Sequence, residues 1–404
     1  MKTFIILKGI AKTEKIRWVQ NEGLNDFFLD INAIRKLYSN PELFYPGKGK
    51  LNKSQGDSVY YMFMKILISR LSKGCLVIID PESESLNPFE KLAEIFGYTV
   101  FYVIQDLPQD YLKKPGKYNL SYYPPKRKEA IEKEVSIFLE QSYSDKLKIS
   151  HFSDIEKYWE TKCKRENYFK VSGPVLHISD IHSNYDLYKK LPSWKNYDIQ
   201  IFHGDYIDGP EEGGSRKMID EILWTSWKKS RVIWLEGNHE LRLRKHLGII
   251  MLSNNKGTEI RDLLRESLQE DYLRSTYKEF SGITPEEAKK YLEKMNSILK
   301  IFCILCSSQG KYICTHSGLR FPEQICPKYI GNIIYGGRDM IRYDKDFSNY
   351  TNGTSLYSIH AHCKYNPWQV YKFPRVINLD PPSNEKIIFA RQYNNKWKIC
   401  QLEK

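Results

Sequence analysis

No stretch of eighteen apolar residues occurs anywhere in the 404-residue sequence, which excludes a helix of membrane-spanning hydrophobicity. The first residues, MKTFIILKGIA, carry too short an apolar run before Lys8 to form the core of a secretory signal. An intracellular, cytoplasmic protein with no membrane partner is the expectation. Only eight cysteines are present, and they are scattered. Cys303 and Cys306 form a single CxxC inside an apolar run with no second pair nearby, which argues against a zinc ribbon or a disulfide framework. Acids are the scarcer charge: 49 Asp plus Glu stand against 62 Lys plus Arg, a formal net charge of +13. With 14% aromatic residues, that excess suits a chain that handles acidic partners such as nucleic acid.

What is present in quantity is a pattern of strands ending in ligand-type residues. Val175–His182 reads VLHISDIH and delivers Asp180 and His182. The stretch 201–240 opens IFHGDYIDG and closes VIWLEGNHE, delivering Asp205, Asp208, Asn238 and His239. His316 follows LKIFCILC and the turn SSQGKYICT, and His360 and His362 follow SLYSI. Each is an apolar run that hands over to a polar burst, as a buried strand does at its carboxyl end. Oxygen and imidazole donors without thiolates suit Mn, Fe, Zn, Ni or Mg, and there are enough of them for two divalent ions, with Mn favoured.

The order of these motifs resembles the calcineurin-like metallophosphoesterases. Asp180-Ile181-His182 is similar to that family's DxH, Gly204–Asp208 to its GDxxD, Gly237–Glu240 to its GNH(D/E), His316 to its isolated His and His360-Ala361-His362 to its last HxH. The resemblance implies an α+β (αββα) two-sheet sandwich over residues 174–404. It also implies that Asp180, His182, Asp205 and His362 hold one ion, and that Asp205, Asn238, His316 and His360 hold the other. Paired cations of this kind polarise phosphoryl oxygens and make water a stronger acid. His239 would be the general acid beside the leaving group, with Asp208 orienting its imidazole. Relatives place Arg after GDxxD to clamp phosphate, whereas here Asp208 is followed by Gly209 and Pro210. Arg216, Arg242 and Arg244 are the candidates to replace it. Ile359 stands where the family usually has Gly.

Ahead of this lies a second unit, residues 1–142. Thr3–Leu7 reads as a buried strand, and Gly9 to Ile16 as a turn into a helix with the outline of a P-loop. A working P-loop needs a second glycine and a hydroxyl, but Glu14 and Ile16 occupy those places and leave Gly9 and Lys15 as its remnants. A helix over 57–72, a strand over Cys75–Asp80, a helix over Phe89–Phe96 and a strand over Tyr98–Ile104 continue an α/β pattern with a parallel sheet. Together with the NP turn, FEKLAEIFGYTV and the helix PPKRKEAIEKEVSIFLEQ, this is similar to the polynucleotide kinase branch of P-loop phosphotransferases. In that family a catalytic Asp would stand near Asn32, so the resemblance implies an inactive kinase module that binds no ATP.

Residues 143–173 form the expected linker. There Lys162, Lys164 and Arg165, interleaved with Tyr158 and Trp159, suit either a nucleic-acid stripe or a helix packing its aromatics on a neighbouring domain. Residues 255–299 read as a helical cap inserted between two ligand loops, with Thr284-Pro285-Glu286-Glu287 as a helix start. Strands near 368–373, 376–379, 386–391 and 397–401 read as hairpins closing the second sheet. End-healing enzymes join such a kinase to a phosphatase and work with a ligase, so the resemblance implies action on RNA or DNA ends carrying 3′-phosphate or 2′,3′-cyclic phosphate. A Ser/Thr protein phosphatase-like enzyme, a dinucleoside polyphosphate hydrolase and a nucleic-acid-binding pseudoenzyme remain the alternatives.

Overall fold

The computed structural model describes residues 1–8, 12–38, 53–81, 86–104, 147–209, 212–225, 231–253, 259–269, 274–336, 340–362, 370, 372–381, 383, 386–393 and 396–403. Gly9 and the stretch PPKRKEAIEKEVSIFLEQ lie outside them.

The first strand, β1 (Lys2–Lys8), is buried along nearly its whole length, as a central parallel strand covered on both faces must be. It is followed by helix α1 (Lys12–Asn21), β2 (Phe28–Leu29), α2 (Ile31–Tyr38), α3 (Lys53–Leu71), β3 (Val77–Ile79), α4 (Asn87–Phe96) and β4 (Tyr98–Ile104). The strands assemble in the order β2-β3-β1-β4-β5, and every pairing is parallel. Gly97 ends α4 in the left-handed conformation at φ +68°, and its N–H returns to the carbonyls of Ala93 and Glu94. The fifth strand, β5 (Leu147–Ile149), comes from the segment expected to be linker. Helix α5 (Phe152–Tyr158) follows it and buries Phe152 and Ile155 against the same sheet. The N-terminal unit therefore extends past residue 142, because its sheet edge needed a partner.

The aromatics after that point face inward. Trp159 is buried and stacks on Phe302 with ring centroids 5.8 Å apart, and Tyr158 meets Phe101 edge-on at 5.5 Å. Of the two readings the sequence left open, packing is the one realised.

The second unit has two sheets. One runs β10-β9-β8-β7-β15-β16 and the other β14-β13-β12-β11-β6. The first holds β7 (Val175–Ile178), β8 (Ile199–Phe202) and β9 (Val232–Leu235), paired in parallel, with β10 (Leu299–Lys300) at one end and the hairpin β15 (Lys386–Tyr393) and β16 (Lys396–Glu403) at the other. The second holds β6 (Tyr168–Lys170), β11 (Phe302–Ser307), β12 (Gly310–Thr315), β13 (Leu356–His360) and β14 (Val376–Asn378). β14 stands where a strand is expected and pairs in parallel with β13, the hairpin expectation is met at 386–403, and the strand expected near 368–373 lies in part outside the described residues. Val175, Ile201, Leu235, Cys303, Leu305 and Cys314 fill the layer between the sheets. Of the CxxC pair, Cys303 is a core residue opposite Cys314, whereas Cys306 is half-buried beside the Tyr168 hydroxyl.

Between β8 and β9 lies α6 (Gly214–Asp220), and β9 feeds α7 (Asn238–Met251). Among the described residues the insertion forms α8 (Glu259–Gln269), α9 (Arg274–Phe280) and α10 (Pro285–Ile298), and α11 (Met340–Tyr350) precedes β13. Thr284 caps α10 by accepting from the Glu287 N–H at 3.2 Å, with Pro285 in the first turn. One apolar core runs without interruption from Phe63 and Leu67 of α3 and Ile95 of α4 to Leu247 of α7 and Leu292 of α10. Its continuity joins the two units.

His177 on β7 is fully buried, 3.3 Å from His203 and 3.0 Å from Gln392. Burial holds its pKa down to about 4, below the ordinary 6.5, despite the Gln392 hydrogen bond. The unfolded chain takes up this proton below about pH 6.5 while the folded chain resists it, so stability is lost as pH falls from 6.5 towards 4, by roughly 3 kcal/mol. Urea titrations at pH 7.5 and 5 should show the loss, and His177→Leu should reduce the difference, with His203 and His246, whose pKa values burial also lowers, keeping the rest. An unchanged pH dependence in that variant would rule His177 out as its source.

Candidate functional site

Each site residue stands just beyond the carboxyl end of a strand. β7 releases Asp180 and His182, β8 releases Asp205 and Asp208, β9 releases Asn238 and His239, β12 releases His316, and β13 ends in His360. The backbone there is bent hard. Among the described residues, the non-glycine positions with positive φ are His182, Ser183, Asp205, Asp208 and His362, all in these loops. Such conformations cost L-residues about 1 kcal/mol or more each, and a packed fold sustains them where side chains must converge. The bends also explain Gly209. A Cβ there would lie 1.4 Å from the His182 carbonyl oxygen, so no arginine can follow Asp208 in this geometry.

Two clusters result. Asp180, His182 and Asp205 offer ligand atoms within 4.8 Å of one another, as do Asp205, His316 and His362. Asp205 belongs to both. It is nearly fully buried, and its ion-pair partners among the described residues are imidazoles: His316 at 3.4 Å, and His239 and His362 at 3.5 Å. Its Oδ2 accepts no hydrogen bond among the described residues. A carboxylate buried in this way, without lysine or arginine, fits a divalent cation as its missing partner. Burial alone would raise its pKa, but the charged His239 beside it holds it well below the usual carboxylate range. The imidazoles are oriented for the same purpose. His316 Nδ1 donates to the His203 carbonyl at 2.6 Å and His182 Nδ1 to that of Ile207 at 3.3 Å, which turns each Nε2 inward. Burial lowers the His316 pKa and so favours the neutral, ligating ring. Asn238 brings its Oδ1 to 3.1 Å from His316 Nε2.

His360 departs from expectation. Its Nδ1 lies 2.8 Å from the Ala361 carbonyl and its Nε2 3.2 Å from an Asp344 oxygen, so both ring nitrogens are engaged away from the clusters. His362 stands with Asp205 and His316 instead, its ring 4.6 Å from that of His316. The expected split of ligands between the two ions therefore does not match the geometry at the final HxH: His362 joins the other group.

His239 is held between two carboxylates. Its Nδ1 lies 2.6 Å from Asp208 Oδ2, and its backbone N–H donates to Asp205 Oδ1 at 3.2 Å. Burial opposes its charge, but Asp205 and the Asp208 hydrogen bond outweigh that and push its pKa up to about 9. Asp208 is itself held. Thr276 of α9 donates to its Oδ1, and Ser215, 2.8 Å from the Thr276 hydroxyl and 2.7 Å from Ser183, accepts from its backbone N–H. The inserted helices thus reach the site through Thr276. Glu240 accepts from the backbone N–H groups of Asp205, Tyr206 and Gly237 at 2.8–3.0 Å and ties two ligand loops together.

The three arginines part company. Arg244 is buried and bonded to Glu236 and Asn296, which corrects its candidacy for phosphate. Arg216 is half-exposed beside Asp220 and the Glu279 carbonyl. Arg242 is half-buried one turn along α7 from His239, close enough for its charge to act on that imidazole. In the N-terminal unit Lys15 is buried and paired with Asp80 at 2.8 Å, just past β3. Sequence reasoning missed Thr276, Ser215 and Asp344, which carry no local motif and act across 7 to 68 residues. Glu240 was visible as the last letter of GNHE.

The family model for calcineurin-like phosphoesterases matches residues 173–376. Among solved structures, a protein provisionally described as a diadenosine tetraphosphatase is 16% identical, with 58% of this chain and 97% of that one covered and a TM-score of 0.35. The cold-active protein-tyrosine phosphatase of a psychrophilic Shewanella species is 14% identical, with 58% and 82% covered and a TM-score of 0.30. No curated protein matches the chain.

Proposed function

Because the chain belongs to the calcineurin-like phosphoesterase family and is a metal-dependent phosphoesterase, we propose that its substrates are nucleic-acid ends carrying 3′-phosphate or 2′,3′-cyclic phosphate. The observation that supports this reading is the N-terminal parallel sheet in the order β2-β3-β1-β4-β5, with Lys15 and Asp80 meeting near the carboxyl ends of β1 and β3. That crevice is where open parallel sheets take phosphate ligands. Here the lysine is paired with a carboxylate, in keeping with a kinase-like unit retained without its chemistry.

Asp180, His182, Asp205, His316 and His362, with Asn238 beside them, would hold the cations. When bound, such ions neutralise charge on the phosphoryl oxygens and acidify water. The remaining work falls to the chain. His239 gives its Nε2 proton to the departing ester oxygen, while Asp208, held by Thr276, keeps the ring turned and steadies its charge. Arg242, one turn along α7 from His239, is the candidate to meet a non-bridging oxygen. Glu240 keeps the Asp205 and Gly237 backbones fixed through the cycle.

Product formation from one panel tests the reading, as phosphate released from the monoesters and as ring opening or cleavage for the cyclic ends and the dinucleotide: RNA and DNA with each terminal phosphate, a phosphopeptide and a dinucleoside tetraphosphate, in Mn, Fe, Zn, Ni or Mg. Preference for the nucleic-acid ends, by about tenfold or more in kcat/KM, is expected. Faster turnover of the phosphopeptide or dinucleotide would overturn it.

A further inference from the structure

Behind Asp208 stand three buried hydroxyls from three separate segments: Ser183 beyond β7, Ser215 in the first turn of α6 and Thr276 on the inserted helix α9. Thr276 donates to Asp208 Oδ1, Ser215 Oγ lies 2.8 Å from Thr276 Oγ1, and Ser183 Oγ lies 2.7 Å from Ser215 Oγ. A hydroxyl carries one hydrogen, and a carboxylate only accepts. The Thr276 proton is committed to Asp208, so Ser215 donates to Thr276 and Ser183 donates to Ser215. The oxygens have their own donors in turn. Ser215 Oγ also accepts from the Asp208 N–H at 3.3 Å, and Ser183 Oγ accepts from the Gly209 N–H at 3.1 Å. All three hydroxyls therefore point one way, toward Asp208, and buried links of this kind strengthen one another.

The backbone around this chain fixes both of its ends. Ser183 follows His182, and the two adopt φ of 59° and 45°, while Asp208 adopts 63°. A Cβ on Gly214 would lie 2.2 Å from the Ser183 carbonyl oxygen, so the start of α6 lies flat against the loop that carries His182. Glu279, three residues beyond Thr276 on α9, accepts from the Arg216 N–H at 2.7 Å and holds α6 from the same helix. At the other end Asp208 Oδ2 meets His239 Nδ1 at 2.6 Å. One row of hydrogen bonds thus runs from the neighbour of a metal-ligand candidate to the imidazole, with the insertion supplying its last hydroxyl.

We propose that Ser183, Ser215 and Thr276 are positioning residues through which the inserted helix α9 sets the His239 imidazole against the metal clusters, and that they adapt the enzyme to esters whose leaving groups need a proton. Thr276 touches no reacting atom and acts through Asp208. Phosphate esters of ribose or serine leave as alkoxides and depend on an aimed acid, whereas phosphoanhydrides and nitrophenyl esters release weakly basic anions and do not. The inference rests on the proposed reading in which His239 is the acid, and it extends that reading by giving the insertion a part in the choice of leaving group.

The test is turnover of alkyl, phenyl and p-nitrophenyl phosphates by the full Mn-loaded chain, a series that contains no nucleic acid and so is read independently of the substrate panel. Thr276→Val keeps the shape and removes the hydroxyl. It should lower kcat on the alkyl ester about 10- to 50-fold and on the p-nitrophenyl ester less than about threefold, with KM little changed. Thr276→Ser should bring alkyl-ester turnover back to within about threefold of the parent chain. Ser215→Ala, one link further back, should show the same split at about three- to tenfold, which keeps the test open if Thr276→Val folds poorly. In a His239→Ala background Thr276→Val should change turnover less than about twofold, since the group it acts through is gone. Losses that are equal along the series, or that persist in the His239→Ala background, would overturn the chain. If His239→Ala itself shows no dependence on the leaving group, the acid reading fails and the chain with it; if His239→Ala shows that dependence and neither hydroxyl variant does, only the chain fails.

Discussion

Asp205→Asn should lower kcat/KM by at least about 10³-fold on every phosphoester, the scale on which active-site electrostatics operate. Asn is the informative replacement. It keeps the side-chain shape and tolerates the φ of 52° that Asp205 adopts, whereas alanine would add backbone strain to the lost charge. Asp205 is the one carboxylate common to both clusters, buried to 1% exposure among three imidazoles. Removing its charge leaves His316 and His362 without the anion they share, so both clusters weaken together. Metal analysis of the loaded protein should give less than one ion per chain. A variant that kept two ions and more than a tenth of its activity would show that Asp205 does not join the clusters.

His239→Ala should separate substrates by their leaving groups. An alkoxide leaving from a ribose or a serine needs a proton as the bond breaks, and p-nitrophenolate does not. Turnover of the poor leaving groups should fall by roughly 10²- to 10³-fold more than turnover of p-nitrophenyl phosphate. The Nδ1 contact with Asp208 at 2.6 Å and the position of Nε2 near Asp205 make the ring a donor held in place. Equal losses on both substrates would assign His239 to binding. Metal content should stay near that of the parent chain, which distinguishes this variant from Asp205→Asn.

The site was legible because its chemistry is written in short motifs at strand ends, where position along the chain and position in space nearly coincide. Asp180, His182, Asp205, Asn238, His239 and His316 converge as their strands dictate. What the sequence could not express was rotation about a side-chain bond. His360 and His362 are two residues apart, and which ring faces the cluster depends on Asp344, a carboxylate on α11 that no motif announces. Thr276 was hidden for the same reason, since its contact with Asp208 spans 68 residues. Arg244 shared the spacing of Arg242 and differed only in which face of α7 it occupies. In the fold, β4 and α4 followed directly from apolar pattern and caps. β5 was misread because a three-residue strand takes its identity from the neighbour it pairs with, here β4.

Lys2 and Arg244 both hold Glu236, three buried charges from β1, the end of β9 and α7. Glu236 lies two residues before Asn238. The first unit transplanted alone into another protein would carry Lys2 into its interior without the carboxylate that answers it, a defect of several kcal/mol, while Glu236 in the second would keep Arg244. Recombination at the boundary between the units is therefore a poor route to new variants. The phosphoesterase unit and the N-terminal unit are expected to travel as a pair, changing by substitution in place and not by exchange of parts.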